Sequence, residues 1–79
     1  MNIEVRLYAT LRERAPAEAE LGVFAAALPA GSTVGDLLPS INIPVAEVQM
    51  IMVNGIGREL DTVLQDSDRV GLFPPVGGG

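Results

Sequence analysis

The chain opens with apolar and polar side chains in alternation. Ile3, Val5 and Leu7 are the apolar positions, and Glu4 and Arg6 stand between them. Successive side chains of a strand point to opposite faces of its sheet. This period of two therefore predicts a first strand with one buried face and one face in contact with water.

The same alternation returns near the end of the chain, in Arg69–Phe73, where Val70 and Leu72 are the apolar positions. The polar residues 66–68 predict a turn before this last strand, and the prolines 74 and 75 end its hydrogen-bond ladder because they have no backbone N–H. If the last strand lies beside the first, the two run parallel, and the chain between them must cross over the sheet.

The middle of the chain carries weaker signals. Residues 18–28 fit either a strand or a helix by pattern alone, and the β-branched and aromatic residues after Gly22 favour a strand. Further along, Thr33 places a hydroxyl three residues before the carboxylate of Asp36, which predicts the start of a helix. Pro39 follows closely, so we expect that helix to be short.

A dense apolar run at residues 49–53 precedes Asn54-Gly55, the dipeptide that best tolerates the positive φ angles of a tight hairpin turn. Residues 56–60 are then predicted to return as the partner strand. The apolar density of the run indicates that its two methionines, Met50 and Met52, fill the core rather than form a binding surface.

Two further segments, residues 11–15 and 45–48, are long enough to predict single turns only. Strands gathered around one helix are typical of an α+β domain. We therefore predict a mixed sheet of four to five strands with one short helix packed on one face. This domain is expected to occupy residues 1–76, and residues 77–79 to form a flexible glycine tail.

The composition limits the chemistry that the side chains can perform. The 79 residues contain no cysteine, histidine or lysine, so the chain has no thiol nucleophile, no imidazole base and no ε-amine. The usual zinc ligands are missing for the same reason, and no metal site is predicted. With 48% hydrophobic residues the chain can fold by packing alone. We expect a non-catalytic protein rather than an enzyme.

Ten acidic and five basic residues give a net charge of −5. That charge repels phosphate backbones and anionic lipid headgroups, so neither nucleic acid nor a membrane is expected as a partner. The sequence shows no secretory signal pattern and no apolar run near the ~20 residues that a membrane span needs. A cytoplasmic location is the resulting expectation.

The sequence ends in Phe73-Pro74-Pro75-Val76 followed by Gly77, Gly78 and Gly79. The prolines stiffen the exit from the last strand, and the glycines have no side chains that could collide with a partner. Such a tail can enter a narrow channel with the α-carboxylate of Gly79 at its end. Joining that carboxylate to a nucleotide phosphate would create a good leaving group, and a sulfur nucleophile could then form a thiocarboxylate.

Four segments resemble the MoaD/ThiS family of ubiquitin-like sulfur carriers, and together they cover nearly the whole chain. They are VRLYATLRERA, STVGDLL, VNG and LQDSDRVGLFPPVGGG. Only the ending D-x-D-x-V-x-L-F-P-P-V-x-G-G is specific, because the other segments match ordinary turns and strands. The resemblance implies that the predicted α+β domain is a ubiquitin-like β-grasp.

The resemblance also implies a function. In that family an adenylating enzyme of the ubiquitin-activating type uses ATP to activate the tail, and a sulfur donor enzyme helps to load it. Gly79 would then be the reacting residue, residues 73–78 would contact partners, and the chain itself would bind no cofactor. From the sequence alone, Phe73 could equally well pack against its own domain. The FPPV segment favours the molybdopterin branch, in which this chain would be the small subunit of molybdopterin synthase and donate sulfur inside the large subunit.

Other functions remain open for the same tail. The sulfur could serve thiamine synthesis, tRNA thiolation or cysteine synthesis. A ubiquitin-like modifier would instead use Gly78 and Gly79 to form an amide with lysines of other proteins. A β-grasp interaction module would bind partners while its glycines do nothing.

Overall fold

The computed structural model describes residues 1–75. Within them the regular elements, in chain order, are β1 (Asn2–Leu7), a first 3₁₀ helix (Ala9–Arg14), β2 (Val23–Ala27), α1 (Val34–Ser40), a second 3₁₀ helix (Val45–Glu47), β3 (Met50–Val53), β4 (Ile56–Gly57) and β5 (Arg69–Phe73). The predicted α+β class is confirmed. The predicted domain boundary after Val76 lies outside the described residues and stays a prediction.

The five strands form one mixed sheet in the order β2-β1-β5-β3-β4. β1 and β5 pair in parallel, with Leu7 opposite Leu72, and the other neighbouring strands are antiparallel. The predicted parallel pairing of the first and last strands is therefore confirmed. Because parallel neighbours require a crossover, the intervening chain passes over one face of the sheet and brings α1 onto it.

That face of the sheet and α1 enclose the hydrophobic core. The strands contribute alternate residues, as the period of two predicts. The buried side chains are Ile3, Val5, Leu7, Leu11, Leu28, Val34, Leu37, Leu38, Ile43, Ile51, Val53, Leu64, Val70 and Leu72. Full burial of one such side chain stabilises the fold by ~1.5–3 kcal/mol, so packing holds this domain together without disulfides.

α1 begins with a reciprocal hydrogen-bonded cap. Asp36 N–H donates to Thr33 Oγ1 at 3.2 Å, and Thr33 N–H donates to the Asp36 carboxylate at 2.9 Å. The helix contains seven residues, with Pro39 in its last turn. The predicted start and the short length of the helix are therefore confirmed. Pro39 is tolerated because it lies near the end of the helix and removes only one backbone hydrogen bond.

The hairpin between β3 and β4 turns at Asn54 and Gly55, as predicted, with φ angles of 52° and 82°. The return strand is shorter than the predicted residues 56–60, because β4 ends at Gly57. The chain then leaves the sheet and passes the start of α1, where Leu60 C=O accepts a hydrogen bond from Gly35 N–H at 2.9 Å. The N–H groups in the first turn of a helix have no acceptor within the helix. The segment after β4 provides an acceptor for one of them, and it therefore lies beside α1 rather than in the sheet.

Three other sequence predictions are refined. The strand predicted within residues 18–28 is confirmed but confined to β2, because Leu21 and Gly22 adopt φ angles of 53° and 79° in a tight turn before it. The turn predicted at residues 11–15 is a six-residue 3₁₀ helix that buries Leu11. The turn predicted at residues 45–48 is the second 3₁₀ helix.

Candidate functional site at the root of the tail

The chain leaves the sheet at the end of β5, through residues 73–75, which we call the tail root. Phe73 C=O accepts a hydrogen bond from Gln49 N–H at 2.8 Å, and Leu72 C=O accepts one from Tyr8 N–H at 3.2 Å. These two bonds hold the end of β5 from both sides. Pro74 and Pro75 then end the ladder, so the point at which the tail departs is well defined.

An aromatic stack covers the tail root. The rings of Tyr8 and Phe73 lie parallel, with centroids 4.3 Å apart and an interplanar angle of 3°. The parallel register of β1 and β5 accounts for the stack, because Leu7 pairs with Leu72 and the next residues of both strands then project side by side. Phe73 therefore contacts its own domain through Tyr8 while both rings stay only half-buried.

Gly71 makes room for this stack. A Cβ atom at position 71 would lie 3.2 Å from Tyr8 Cε2 and 3.6 Å from Phe73 Cε1. The first distance is shorter than ordinary van der Waals contact between carbon atoms, so a side chain here would push the tyrosine ring aside. The absence of a side chain also leaves a depression in the sheet surface next to the two rings.

The side of the sheet opposite α1, which we call the open face, carries the stack. Its depression has a volume of about 260 Å³ and is lined by Arg6, Tyr8, Met52, Asn54, Gly55, Arg69, Gly71 and Phe73. Met50 stands opposite Phe73 in the register of β3 and β5 and is 47% exposed. The open face thus places apolar side chains around the tail root.

Two arginines border the apolar part of the open face. Arg6 Nε donates to Glu4 Oε2 at 2.6 Å, and this hydrogen bond is the main reason that the pKa of Arg6 is raised. Arg69 stands opposite Glu4 in the register of β1 and β5. Arg6 and Arg69 therefore both line the depression, and the Glu4 carboxylate is paired with Arg6.

The structure locates only part of the predicted site. Phe73, Pro74 and Pro75 lie together at the tail root. Val76, Gly77, Gly78 and Gly79 lie outside the described residues, and their predicted roles stay predictions. The described part of the chain therefore shows the base of the proposed reactive arm and the surface from which the arm departs.

The prediction that Met50 and Met52 fill the core is wrong. Ile51 and Val53 are buried, whereas Met50 is exposed and Met52 is half-buried on the open face. An unbroken apolar run conceals the alternation that a strand imposes on its side chains. The sequence analysis did not predict Tyr8 as a site residue. The alternation of β1 places Tyr8 on the open face, and the predicted parallel pairing of the first and last strands places it near the end of β5. These two features together could have identified it.

The described residues offer little side-chain chemistry of their own. Across residues 1–75, no group of three histidine, cysteine, aspartate or glutamate residues is placed to hold a metal ion. In the same range, none of the helices has the length and apolar character needed to cross a membrane. What this region can do chemically is present an aromatic and apolar surface beside the base of the tail.

Comparison with known proteins identifies the family. The family model for Mut7-C ubiquitin matches residues 1–77. Among curated proteins the comparison finds no match to this sequence.

Solved structures share the fold. A protein from Pyrococcus furiosus, whose name assigns it to subunit 1 of a molybdopterin converting factor, is 29% identical, with 95% of this chain and 98% of that chain covered and a TM-score of 0.73. SAMP1 from Haloferax volcanii is 24% identical over the whole of both chains, with a TM-score of 0.74. A chain from the complex of subunits 1 and 2 of the Helicobacter pylori molybdopterin-converting factor is 24% identical over the whole of both chains, with a TM-score of 0.61.

These structures confirm the β-grasp fold. Because the family model spans nearly the whole sequence, the chain belongs to the Mut7-C ubiquitin family, and its predicted place among the ubiquitin-like proteins of the MoaD/ThiS type is confirmed.

Proposed function

We propose that this chain is a sulfur carrier that acts through the C-terminal carboxylate of Gly79, as the small subunit of a molybdopterin synthase. The observation that carries the proposal is the likeness to the Pyrococcus furiosus protein, which extends over almost the full length of both chains. The FPPV segment before the glycines points to the same branch of the family.

The proposed chemistry needs no reactive side chain in the carrier. A partner enzyme of the ubiquitin-activating type binds the tail and ATP, and an oxygen of the Gly79 carboxylate attacks the α-phosphorus while pyrophosphate leaves. A sulfide sulfur then attacks the acyl carbon of the adenylate, and AMP leaves as the thiocarboxylate forms. A chain without cysteine, histidine or lysine suits this division of labour, because all activation comes from the partner.

The open face is the surface that we propose for docking. Its apolar side chains, Tyr8, Phe73, Met50 and Met52, surround the tail root, so a partner bound there receives the tail directly. Aromatic residues and methionine are enriched in the central part of protein interfaces. The Helicobacter pylori structure is itself a complex of subunits 1 and 2, and we propose a corresponding large subunit as the catalytic partner of this chain.

Mass spectrometry tests the carrier function. The chain is incubated with ATP, sulfide and an adenylating enzyme that has been shown to be active on its own carrier. We expect the mass to rise by the difference between one sulfur and one oxygen atom. Removal of Gly79 should abolish the rise without changing the urea midpoint. An unchanged mass with the full chain would refute the proposal.

A second measurement separates docking from tail chemistry. Phe73→Ala should raise the concentration of carrier needed for half-maximal loading, whereas Val63→Ala should not. Val63 is 57% exposed and bridges to Thr33 beside α1, away from the open face. Equal effects of the two substitutions would show that the open face is not the docking surface.

The same samples distinguish the remaining functions. Recovery of a molybdopterin synthase large subunit with the tagged chain supports the molybdopterin branch, and recovery of another sulfur-accepting enzyme assigns the carrier to that pathway instead. A Gly-Gly remnant on lysines of other proteins after proteolysis would identify a protein modifier. Each outcome therefore assigns a different function to the activated tail.

A further inference from the structure

The turn before β2 reverses the chain at Leu21 and Gly22. Val23 N–H donates to Glu20 C=O at 2.9 Å, and an antiparallel bridge joins the same two residues. The φ angles of Leu21 and Gly22 are 53° and 79°. A two-residue turn in which both central φ angles are positive is of type I′, and asparagine, aspartate or glycine usually occupies its first central position. The backbone at position 21 therefore disfavours leucine, because its Cβ approaches the following carbonyl oxygen in this conformation.

The side chain of Leu21 is also largely in contact with water. It is 80% exposed, more than any other large hydrophobic residue among residues 1–75. A single exposed apolar side chain is common on protein surfaces, so exposure alone indicates nothing. At this position, however, leucine is favoured neither by the backbone of the turn nor by packing in the core. Contact with another molecule would account for a leucine here.

The turn lies at the end of the sheet from which the tail departs. Gly22 C=O accepts a hydrogen bond from Leu7 N–H at 2.9 Å, and Leu7 stands opposite Leu72, the residue before the tail root. β1 separates β2 from β5 in the sheet, so two strand spacings of ~4.8 Å, roughly 10 Å, lie between the turn and the tail root. Leu21 is therefore a neighbour of the surface that we propose for docking.

A protein that receives the tail would also cover this turn. A standard interface takes ~800 Å² of surface from each partner, which corresponds to a circle with a radius of ~16 Å. Such a circle, centred on the tail root, includes Leu21 on the β2 side and Met50 on the β3 side. The open face and Leu21 can therefore belong to one continuous contact.

Acidic side chains flank Leu21 in the sequence. Glu18 and Glu20 are both exposed. Neither carboxylate forms an ion pair with a basic residue in the described range 1–75. Opposite charges on two surfaces favour their encounter and fix their register. A partner surface that is complementary to this turn would therefore carry an apolar pocket bordered by arginine or lysine.

We propose that Leu21 is a docking residue for the enzyme that adenylates the tail, and that its side chain enters an apolar pocket with a basic border on that enzyme. The adenylating enzyme is the occupant because it is the first protein that must receive the unmodified tail. Burial in the pocket removes the leucine side chain from water, which the free chain does not do. The inference rests on the proposed function, since it assigns a further contact to the same partner.

Substitution by asparagine separates docking from folding. Leu21→Asn removes the apolar side chain and suits the positive φ angle, so its urea midpoint should equal or exceed that of the wild type. The carrier concentration for half-maximal loading should rise at least about tenfold, because no leucine side chain is buried on binding. The maximal loading rate at saturating carrier should stay the same. Leu21→Met keeps an apolar side chain and should therefore have a smaller effect than Leu21→Asn.

Ile56→Thr is the matched control. Ile56 is 56% exposed and follows the Asn54-Gly55 turn, which lies at the opposite end of the sheet from the tail root. Its substitution also removes an exposed apolar side chain and should leave the half-maximal concentration unchanged. A lower urea midpoint for Leu21→Asn, or a half-maximal concentration equal to that of the wild type, would overturn the inference alone. Failure of the wild-type chain to load would refute the proposed function, and this inference with it.

The salt dependence of loading tests the basic border of the pocket. Salt screens the attraction between an exposed carboxylate and a basic residue of the partner. The half-maximal concentration should therefore rise less between ~0.05 and ~0.5 M NaCl for Glu20→Gln than for Asp61→Asn, which removes the same charge from an exposed loop residue. Equal salt dependence of the two variants would show that no basic residues border the pocket.

Discussion

Gly71 lies so close to neighbouring aromatic rings that no larger residue fits at this position without a shift. The ring of Tyr8 lies where a Cβ atom of residue 71 would be in close contact, and Phe73 lies on the same side. Both rings belong to the surface that we propose for docking. The glycine therefore links the local packing of β5 to the shape of the open face.

We expect Gly71→Ala to lower the free energy of unfolding by ~1 kcal/mol, because the half-buried tyrosine must move to admit the methyl group. Gly57→Ala is the matched control, since a Cβ there meets no atom within 4 Å. Urea unfolding gives the stability, and the near-ultraviolet circular dichroism of the single tyrosine reports on the stack. Equal stability of both variants with an unchanged tyrosine signal would contradict this account.

Among the elements, the turn before β5 connects three strands through side-chain hydrogen bonds. Asp68 accepts from Gln65 N–H at 2.8 Å and from Asn54 Nδ2 at 2.9 Å, and Asn54 Oδ1 accepts from Arg69 N–H at 3.0 Å. Asp66 Oδ1 accepts from Asn2 N–H at 2.7 Å. The two aspartates thus position β5 between β1 and the β3–β4 hairpin, and the sequence-based interpretation of them as turn residues agrees with these contacts.

Replacement of Asp68 by alanine should lower the free energy of unfolding by ~1–3 kcal/mol, because two donors lose a charged acceptor. Asp61→Ala removes an exposed carboxylate from the neighbouring loop and should change stability by less than about 0.5 kcal/mol. Urea unfolding of both variants measures the difference. A stability loss that is no larger in Asp68→Ala than in Asp61→Ala would show that the network contributes nothing.

In the whole molecule, an ion pair connects the two 3₁₀ helices across 33 positions of sequence. Arg14 Nε donates to Glu47 Oε1 at 2.6 Å, and Arg14 Nη2 bonds the second oxygen of the same carboxylate. The hydrogen bond from Arg14 is the main reason that the pKa of Glu47 lies below its usual 4.5. Both side chains are exposed, so the energetic contribution of the pair is small.

The direction of the pKa shift determines the pH dependence. Glu47 has a lower pKa in the folded than in the unfolded chain, so the pair stabilises the fold above the unfolded pKa, and this contribution disappears as pH falls through the folded pKa. Wild type should therefore be slightly more stable than Glu47→Gln at pH ~7, with the difference vanishing near pH ~2. Urea midpoints across this range, with Glu18→Gln as the exposed control, measure the effect. A difference that is independent of pH would refute the assignment to this ion pair.

Local features of the sequence determined most of the elements. The alternation of apolar residues predicts β1 and the full extent of β5, the Thr33–Asp36 spacing predicts the start of α1, and Asn54-Gly55 predicts the hairpin turn. Each of these signals acts over a few residues, through backbone geometry or a nearby hydrogen bond. The sequence also contains the specific FPPV and glycine ending and lacks reactive side chains, and these two features direct the proposed function to the tail.

Tertiary structure decided which surfaces those elements present. The Tyr8–Phe73 stack joins residues 65 positions apart, and it exists because β1 and β5 pair in parallel with a particular register. Met50 and Met52 lie outside the core because α1 covers the other face of the sheet. β4 ends early because the following chain provides hydrogen-bond acceptors for the first turn of α1. Apolar content alone cannot specify these outcomes, because burial is a property of the assembled sheet and helix rather than of any single segment.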